Sequence, residues 1–178
     1  KEDILAASRD LIKENGWAAV SIRAVASRCS VSAGTIYNYY ESKADLLSDT
    51  IESIWHEIFF HPEDEQVFHD VESCISWIYE RLEYGNRQFP GFFSLHSFGF
   101  MRDEKTSGKK RMMKTWGHIL NGLCEVLEND PKVRADVFDQ EFTEKKFADI
   151  LFSLILVSMI RQDYDPSSVL MLVKKTLY

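Results

Sequence analysis

Proline is scarce in this chain, four among 178 residues, and cysteine scarcer, with three. Few prolines leave long helices unbroken, because each ring removes a backbone donor and crowds the preceding turn. Cys29, Cys74 and Cys124 are odd in number, widely spaced and without a Cys-x-x-Cys pair. That excludes a disulfide framework and a zinc knuckle and fits a reducing, cytoplasmic setting. Each cysteine reads as a small apolar core side chain. Long hydrophobic runs are missing too. The longest, Ala148 to Ile160, is interrupted by Asp149, Ser153 and Ser158 and falls short of the roughly 20 residues a membrane span needs. No membrane partner is expected and no secretory signal is read. A start at Lys1 leads us to expect further residues upstream. No Gly-rich phosphate loop, Gly-x-Ser-x-Gly or His-Glu-x-x-His occurs, so neither an enzyme nor a cofactor is expected. His56, His61, Glu63, Glu65, His69 and Asp70 match no ligand spacing. They read as a solvated acidic connector rather than a metal site.

An excess of positive charge is likewise lacking: the net charge is −7. A uniformly basic nucleic-acid footprint is therefore excluded, but the charge is unevenly placed. Residues 1–47 hold Lys1, Arg9, Lys13, Arg23, Arg28 and Lys43 against Glu2, Asp3, Asp10, Glu14, Glu41 and Asp45, which cancel. The remaining residues carry the whole deficit. Excess acid there repels DNA from every face but the N-terminal one.

What is present is apolar periodicity, with 45% hydrophobic and 13% aromatic residues. Ile4, Leu5, Ser8, Leu11 and Ile12 recur at helical spacing, and Asn15-Gly16 ends that helix. Trp17 and Val20 plug the small core. Ser21 caps a second helix whose Ile22, Val25 and Ala26 face inward, with Arg23, Ser27 and Arg28 outward. Ser32 caps a third, short helix. Ile36 and Tyr40 point to its core side, whereas Thr35, Tyr37, Asn38 and Tyr39 present hydroxyls, an amide and flat rings. Ala33 and Gly34 let the helix lie close to another surface. Neutral hydrogen-bonding groups on a short helix suit base edges and phosphates. Ser42 with Asp45 opens a fourth helix through Leu47, Ile51, Ile54, Trp55 and Ile58. Lys43 in its first turn opposes the helix dipole unless an anion shares the site.

The run Ser21-Ile22-Arg23-Ala24-Val25-Ala26, then Val31 to Tyr37, Tyr39-Tyr40-Glu41-Ser42-Lys43 and Leu46-Leu47, resembles the DNA-binding domain of the TetR family over about residues 4–47. One departure is Ser30, where the family usually carries glycine. The resemblance implies an all-α chain: a helix-turn-helix domain at 1–47, then a helical ligand-binding and dimerisation domain at 48–178. It implies a ligand-responsive regulator, a repressor, bound as a homodimer to a pseudo-palindromic double-stranded operator. Ser32, Ala33, Gly34, Thr35, Tyr37, Asn38, Tyr39 and Lys43 are the expected DNA contacts, Lys43 on a phosphate.

Beyond residue 48, Val67, Val71, Cys74, Ile75, Ile78 and Leu82 make a fifth stripe, broken at Phe89-Pro90-Gly91. An aromatic patch follows. Trp77, Tyr84, Phe89, Phe92, Phe93, His96, Phe98, Phe100, Trp116 and His118 are the expected walls of a cavity for a small apolar or cationic effector. A charged stretch, Asp103 to Arg111, precedes a helix through Met112, Met113, Trp116, Ile119, Leu120, Leu123 and Leu127. The helix opened by Thr143 is greasy on two faces, which reads as burial between layers. Asp165-Pro166 starts the last helix. By the resemblance, two copies pack these last helices together through Leu151, Leu154, Ile155, Ser158, Met159, Leu170 and Val173. The alternative is a DNA-bound scaffold whose second domain docks a protein partner.

Overall fold

Gly16 decides where the first helix stops. The computed structural model describes residues 1–59, 68–93 and 107–178, without the side chains of 107–115. In it α1 (Glu2–Asn15) ends as Gly16 turns to φ +76°, its amide donating to the Ile12 carbonyl at 2.9 Å. A 3₁₀ turn, Trp17–Ala19, leads to α2 (Ile22–Arg28), where the Ser21 hydroxyl accepts from the Ala24 amide. The α2 end is a Schellman turn: the Val31 amide donates to the Ala26 carbonyl and the Ser30 amide to Ser27. Ser30 takes the left-handed conformation at φ 56°. α3 (Ala33–Tyr37) follows, with the Ser32 hydroxyl accepting from the Thr35 amide at 3.2 Å. Ile4, Ile12, Val20, Val25, Ile36, Tyr40 and Leu46 close one small core.

Ser42 caps α4 (Lys43–Phe59) through the Asp45 amide. This helix packs on α1 and continues onto α5 (Val71–Gln88), so the boundary read at residues 47 and 48 falls inside one rod. Asp70 caps α5 from the Ser73 amide. The helix ends before Pro90, and Gly91 adopts φ 78°. α6 (Ser107–Asn129) begins earlier than the sequence suggested: Ser107 to Arg111, read as part of a charged stretch, are helical. Lys109, Lys110 and Arg111 are good helix formers, so the charged stretch can extend the helix despite Gly108. α7 (Glu144–Arg161) is capped by Thr143, and ahead of α8 (Ser167–Leu177) the Asp165 carboxylate accepts from the Ser167 amide. Pro166 sits one position outside the helix rather than at its first turn.

α6 packs on α7, and α4, α5 and α6 pack mutually, while α8 lies on α5. Buried Asp130 ties this assembly together, accepting from the Val71 and Lys132 amides and the Tyr178 hydroxyl. α7 does not lie between two layers. Phe147, Leu151, Ile155 and Met159 are buried, but Ile150 and Val157 on the opposite face are 44% and 45% exposed. No described helix is long and apolar enough to cross a membrane. No cluster of three or more metal-ligating side chains occurs among the described residues.

Candidate nucleic-acid interface and effector cavity

The cap at Ser32 and the turn at Ser30 orient α3 so that its two faces diverge. Ile36 and Tyr40 fill the core. Tyr37 and Tyr39 stand 56% and 53% exposed, with Ser32, Gly34 and Asn38 exposed beside them and Ala33 and Thr35 half-buried. The Ser32 and Thr35 hydroxyls lie 3.1 Å apart. Lys43, also exposed, follows at the first position of α4. The residues expected to contact DNA are thus exposed or half-buried, on or next to a single short helix.

Charge pairing shows which cations remain for a polyanion. Lys1 holds Asp49 at 2.7 Å. Arg9 holds Glu57 at 3.0 Å and Lys13 the same carboxylate at 2.6 Å. Arg28 pairs with Glu14, which raises its pKa further. Among the described residues of this domain Arg23 and Lys43 carry no acidic partner, and both are exposed. The sequence reads Arg23, Ser27 and Arg28 as facing out, where a phosphate contact is possible; of the two arginines, only Arg23 lacks an acidic partner among the described residues. Its signal was the outward position on α2, shared with Arg28, which only the fold separates by pairing.

A cavity of about 490 Å³ lies between the end of α4, α5 and α6. Phe59, Phe68 and Trp77 form its aromatic wall, and Ile78, Ile119, Leu123 and Val126 its aliphatic one. Cys74, His118, Glu125 and Asn129 supply the polar atoms. Desolvation pushes the Cys74 thiol up to about 12, so it stays protonated and unreactive at neutral pH. Of the expected cavity walls, Trp77 and His118 are here. Phe89, Phe92 and Phe93 are not: each is fully buried in the core, because the chain reverses at Pro90-Gly91 and folds them against α4 and α5. Tyr84 lies under the Arg81 guanidinium at 4.5 Å, and Trp116 packs on Phe152. His96, Phe98 and Phe100 lie outside the described residues, as do His61, Glu63, Glu65 and Val67.

The buried phenylalanines do something else. Trp77 on the cavity wall meets Phe59 edge-on at 6.0 Å, and Phe59 stacks on Trp55 at 5.7 Å. Trp55 meets Phe92 at 5.2 Å, and Phe92 stacks on Trp17 of the N-terminal domain at 5.8 Å. Aromatic rings therefore connect the cavity to the 3₁₀ turn between α1 and α2. Arg81 of α5 adds a second tie, donating to the Glu57 and Ile58 carbonyls at the end of α4. Gly85 allows the close crossing of α4 and α5, since a Cβ there would meet Ile58 Cδ1 at 2.6 Å.

The expected association residues divide in two. Leu151, Ile155, Met159 and Val173 are consumed by the chain's own core, while Leu154, Ser158 and Leu170 are half-buried. Ser158 is already bonded to the Tyr79 hydroxyl at 2.8 Å. The apolar side chains left outside are Ile150 and Val157 on α7 and Met171 and Leu172 on α8.

Residues 4–50 match the family model for bacterial regulatory proteins of the tetR family. The HTH-type transcriptional regulator UidR of Escherichia coli strain K12 is 38% identical over 48 residues, 27% of this chain and 24% of that relative. The chain therefore matches about a quarter of the length of such curated relatives. Three solved structures extend the likeness to the whole chain. The transcriptional regulator FadR from Bacillus subtilis, in complex with stearoyl-CoA, has a TM-score of 0.68 at 18% identity, covering 99% of both chains. A TetR transcription regulator from Haloarcula marismortui has 0.67 at 18% identity, covering 99% of this chain and 95% of that one. Salmonella enterica GusR has 0.62 at 18% identity, covering 98% and 94%. At these identities the likeness is one of fold.

Proposed function

We propose that this chain, whose residues 4–50 match the family model for bacterial regulatory proteins of the tetR family, regulates transcription by binding duplex DNA as a homodimer and leaving it when a small ligand enters the cavity. The observation that carries the DNA reading is the exposed face of α3 with Tyr37, Asn38 and Tyr39, together with the exposed Arg23 and Lys43, which pair with no acid among the described residues. Asn38 suits adenine N6 and N7, and Thr35 offers a methyl to thymine. Tyr39, Ser32, Arg23 and Lys43 serve phosphates and set the docking angle.

A single helix as short as α3 reads few base pairs. Two copies reading half-sites about 34–36 Å apart supply the missing specificity. The exposed pairs Ile150 and Val157, and Met171 and Leu172, support a second copy seated on α7 and α8. FadR of Bacillus subtilis holds stearoyl-CoA. A cavity between α4, α5 and α6, in contact with the rod that carries the DNA-binding domain, supports a ligand-released repressor over a scaffold for a protein partner. A ligand shifts that equilibrium only by preferring the cavity shape of one state.

The test is binding to DNA upstream of the chain's own gene, with salt titration. With Arg23 and Lys43 free on each of two protomers, log affinity should fall against log salt with a slope of about −4. Lys43→Ala should lower the slope by about 1 for each protomer that uses it. Tyr37→Ala combined with Lys43→Ala should abolish specific binding. Undiminished binding by that double variant contradicts the assignment.

A further inference from the structure

The chemistry of the cavity wall narrows the ligand class, on the reading that this cavity is the effector site. Three aromatic side chains, Phe59, Phe68 and Trp77, lie together on one wall, Phe68 to Trp77 at 5.2 Å and Phe59 to Trp77 at 6.0 Å. Glu125 is the carboxylate of the described lining, and no lysine or arginine joins it. Glu125 is exposed, so it stands at the mouth rather than in the depth. An anionic head arriving there meets a like charge and, among the described lining residues, no cation. A positive head arriving there meets a carboxylate.

Gly122 supplies an independent indication of reserved space. It lies in the interior of α6, where glycine is less favourable than alanine by about 1 kcal/mol. Such a glycine usually admits a close neighbour, as Gly85 admits Ile58. A Cβ at Gly122, however, would meet nothing within 4 Å, and the residue lines the cavity. The protein's own packing does not require that glycine, and it leaves open space in the cavity lining.

We propose that the cavity takes a hydrophobic organic cation, its apolar body against Phe59, Phe68, Trp77 and the space at Gly122, its positive head at the mouth beside Glu125. A long-chain acyl-CoA, the ligand of the FadR structure, carries the opposite charge at its head and is a poor match for this mouth.

Calorimetry on the full chain, using three probes that share a phenylbutyl body, isolates the head group. These are 4-phenylbutyltrimethylammonium, 4-phenylbutanol and 4-phenylbutyrate, with stearoyl-CoA as a fourth. The ammonium should bind roughly tenfold more tightly than the alcohol and the carboxylate. Glu125→Gln should reduce ammonium binding to the level of the alcohol without changing the alcohol itself. Gly122→Leu should block all of them while leaving DNA binding intact. Tighter binding of the carboxylate or of stearoyl-CoA, no binding of the series, or indifference to Glu125→Gln overturns the proposal. DNA binding measured in parallel separates the two readings. A protein that takes the ammonium but ignores DNA is no regulator, though its cavity is as described. One that binds DNA without preferring the cation is a regulator of another ligand class.

Discussion

Ser30 shows how one side chain sets a local energy. The turn between α2 and α3 needs a left-handed residue, and Ser30 supplies it at φ 56°. A Cβ in that region costs on the order of 1 kcal/mol relative to glycine. Ser30→Gly should therefore raise the melting temperature by about 2–4 °C in a chain of this size, and a scan showing no rise would place the strain elsewhere. Gly85 and Gly122 make a contrasting pair that no sequence pattern separates. Gly85→Val overpacks Ile58 and Phe93, whose ring would lie 3.0 Å from the added Cβ, and should destabilise by about 1–3 kcal/mol. Gly122→Ala fills open space and removes a helix-interior glycine, so it should stabilise by about 0.5–1 kcal/mol. Urea midpoints of the two variants, moving in opposite directions, are the check. At this scale the sequence was most readable where chemistry is local: the hydroxyls of Ser21, Ser32, Ser42 and Thr143 all accept the helix amide three residues on. It was least readable where pairing is distant, as with Arg28, which Glu14 consumes, against Arg23, which nothing described does.

Among the elements, the start of α5 carries the clearest pH dependence. Asp70 caps that helix and bonds to Lys132 at 2.8 Å. Its pKa falls from 3.8 to about 2, first through the Lys132 hydrogen bond and then through the Ser73 amide. The unfolded chain therefore takes up a proton at higher pH than the folded one. The stabilisation is fully present above about pH 4 and is lost as pH falls toward 2. Asp139 and Asp165, both lowered by backbone amides that they accept from, add to the same trend. Urea midpoints of the wild type and Lys132→Met should differ at pH 4 and converge by pH 2; a constant gap would assign the effect to packing. Helix order and caps were legible because apolar spacing and cap residues are short-range signals. The outward face of α7 and α8 was not. A helix greasy all round has no unique inward stripe, so Leu151 and Ile150 are neighbours in sequence that packing alone sends to opposite sides. The same holds for the phenylalanines after Pro90: composition marked an aromatic patch, but only the reversal at Gly91 assigns Phe92 and Phe93 to the core.

Across the whole molecule, ligand and DNA communicate only if one element has two arrangements that both sites bias. α4 is placed to be that element. Its first residue is the exposed Lys43, a proposed DNA contact, and its last, Phe59, is in the cavity wall. Between them Glu57 is clamped by Arg9 and Lys13 of α1, so a shift of the end of α4 drags the first helix with it. The rings of Phe59, Trp55, Phe92 and Trp17 give a second, parallel route through packed side chains that cannot deform without displacing one another. Contact continuity does not establish coupling; a cycle does. Coupling is reciprocal, so a ligand that weakens DNA binding by some factor must itself be weakened by DNA to the same extent. Trp55→Leu interrupts the rings inside α4 while touching neither the α3 surface nor the described cavity lining. It should leave the affinity for each partner, measured alone, within about threefold, and pull the coupling factor toward one. The same substitution in a Glu57→Gln background should remove what coupling the ion-pair route still carries. If the factor survives both changes, the communication runs outside the rod, through the proposed association of two copies at the exposed Ile150, Val157, Met171 and Leu172.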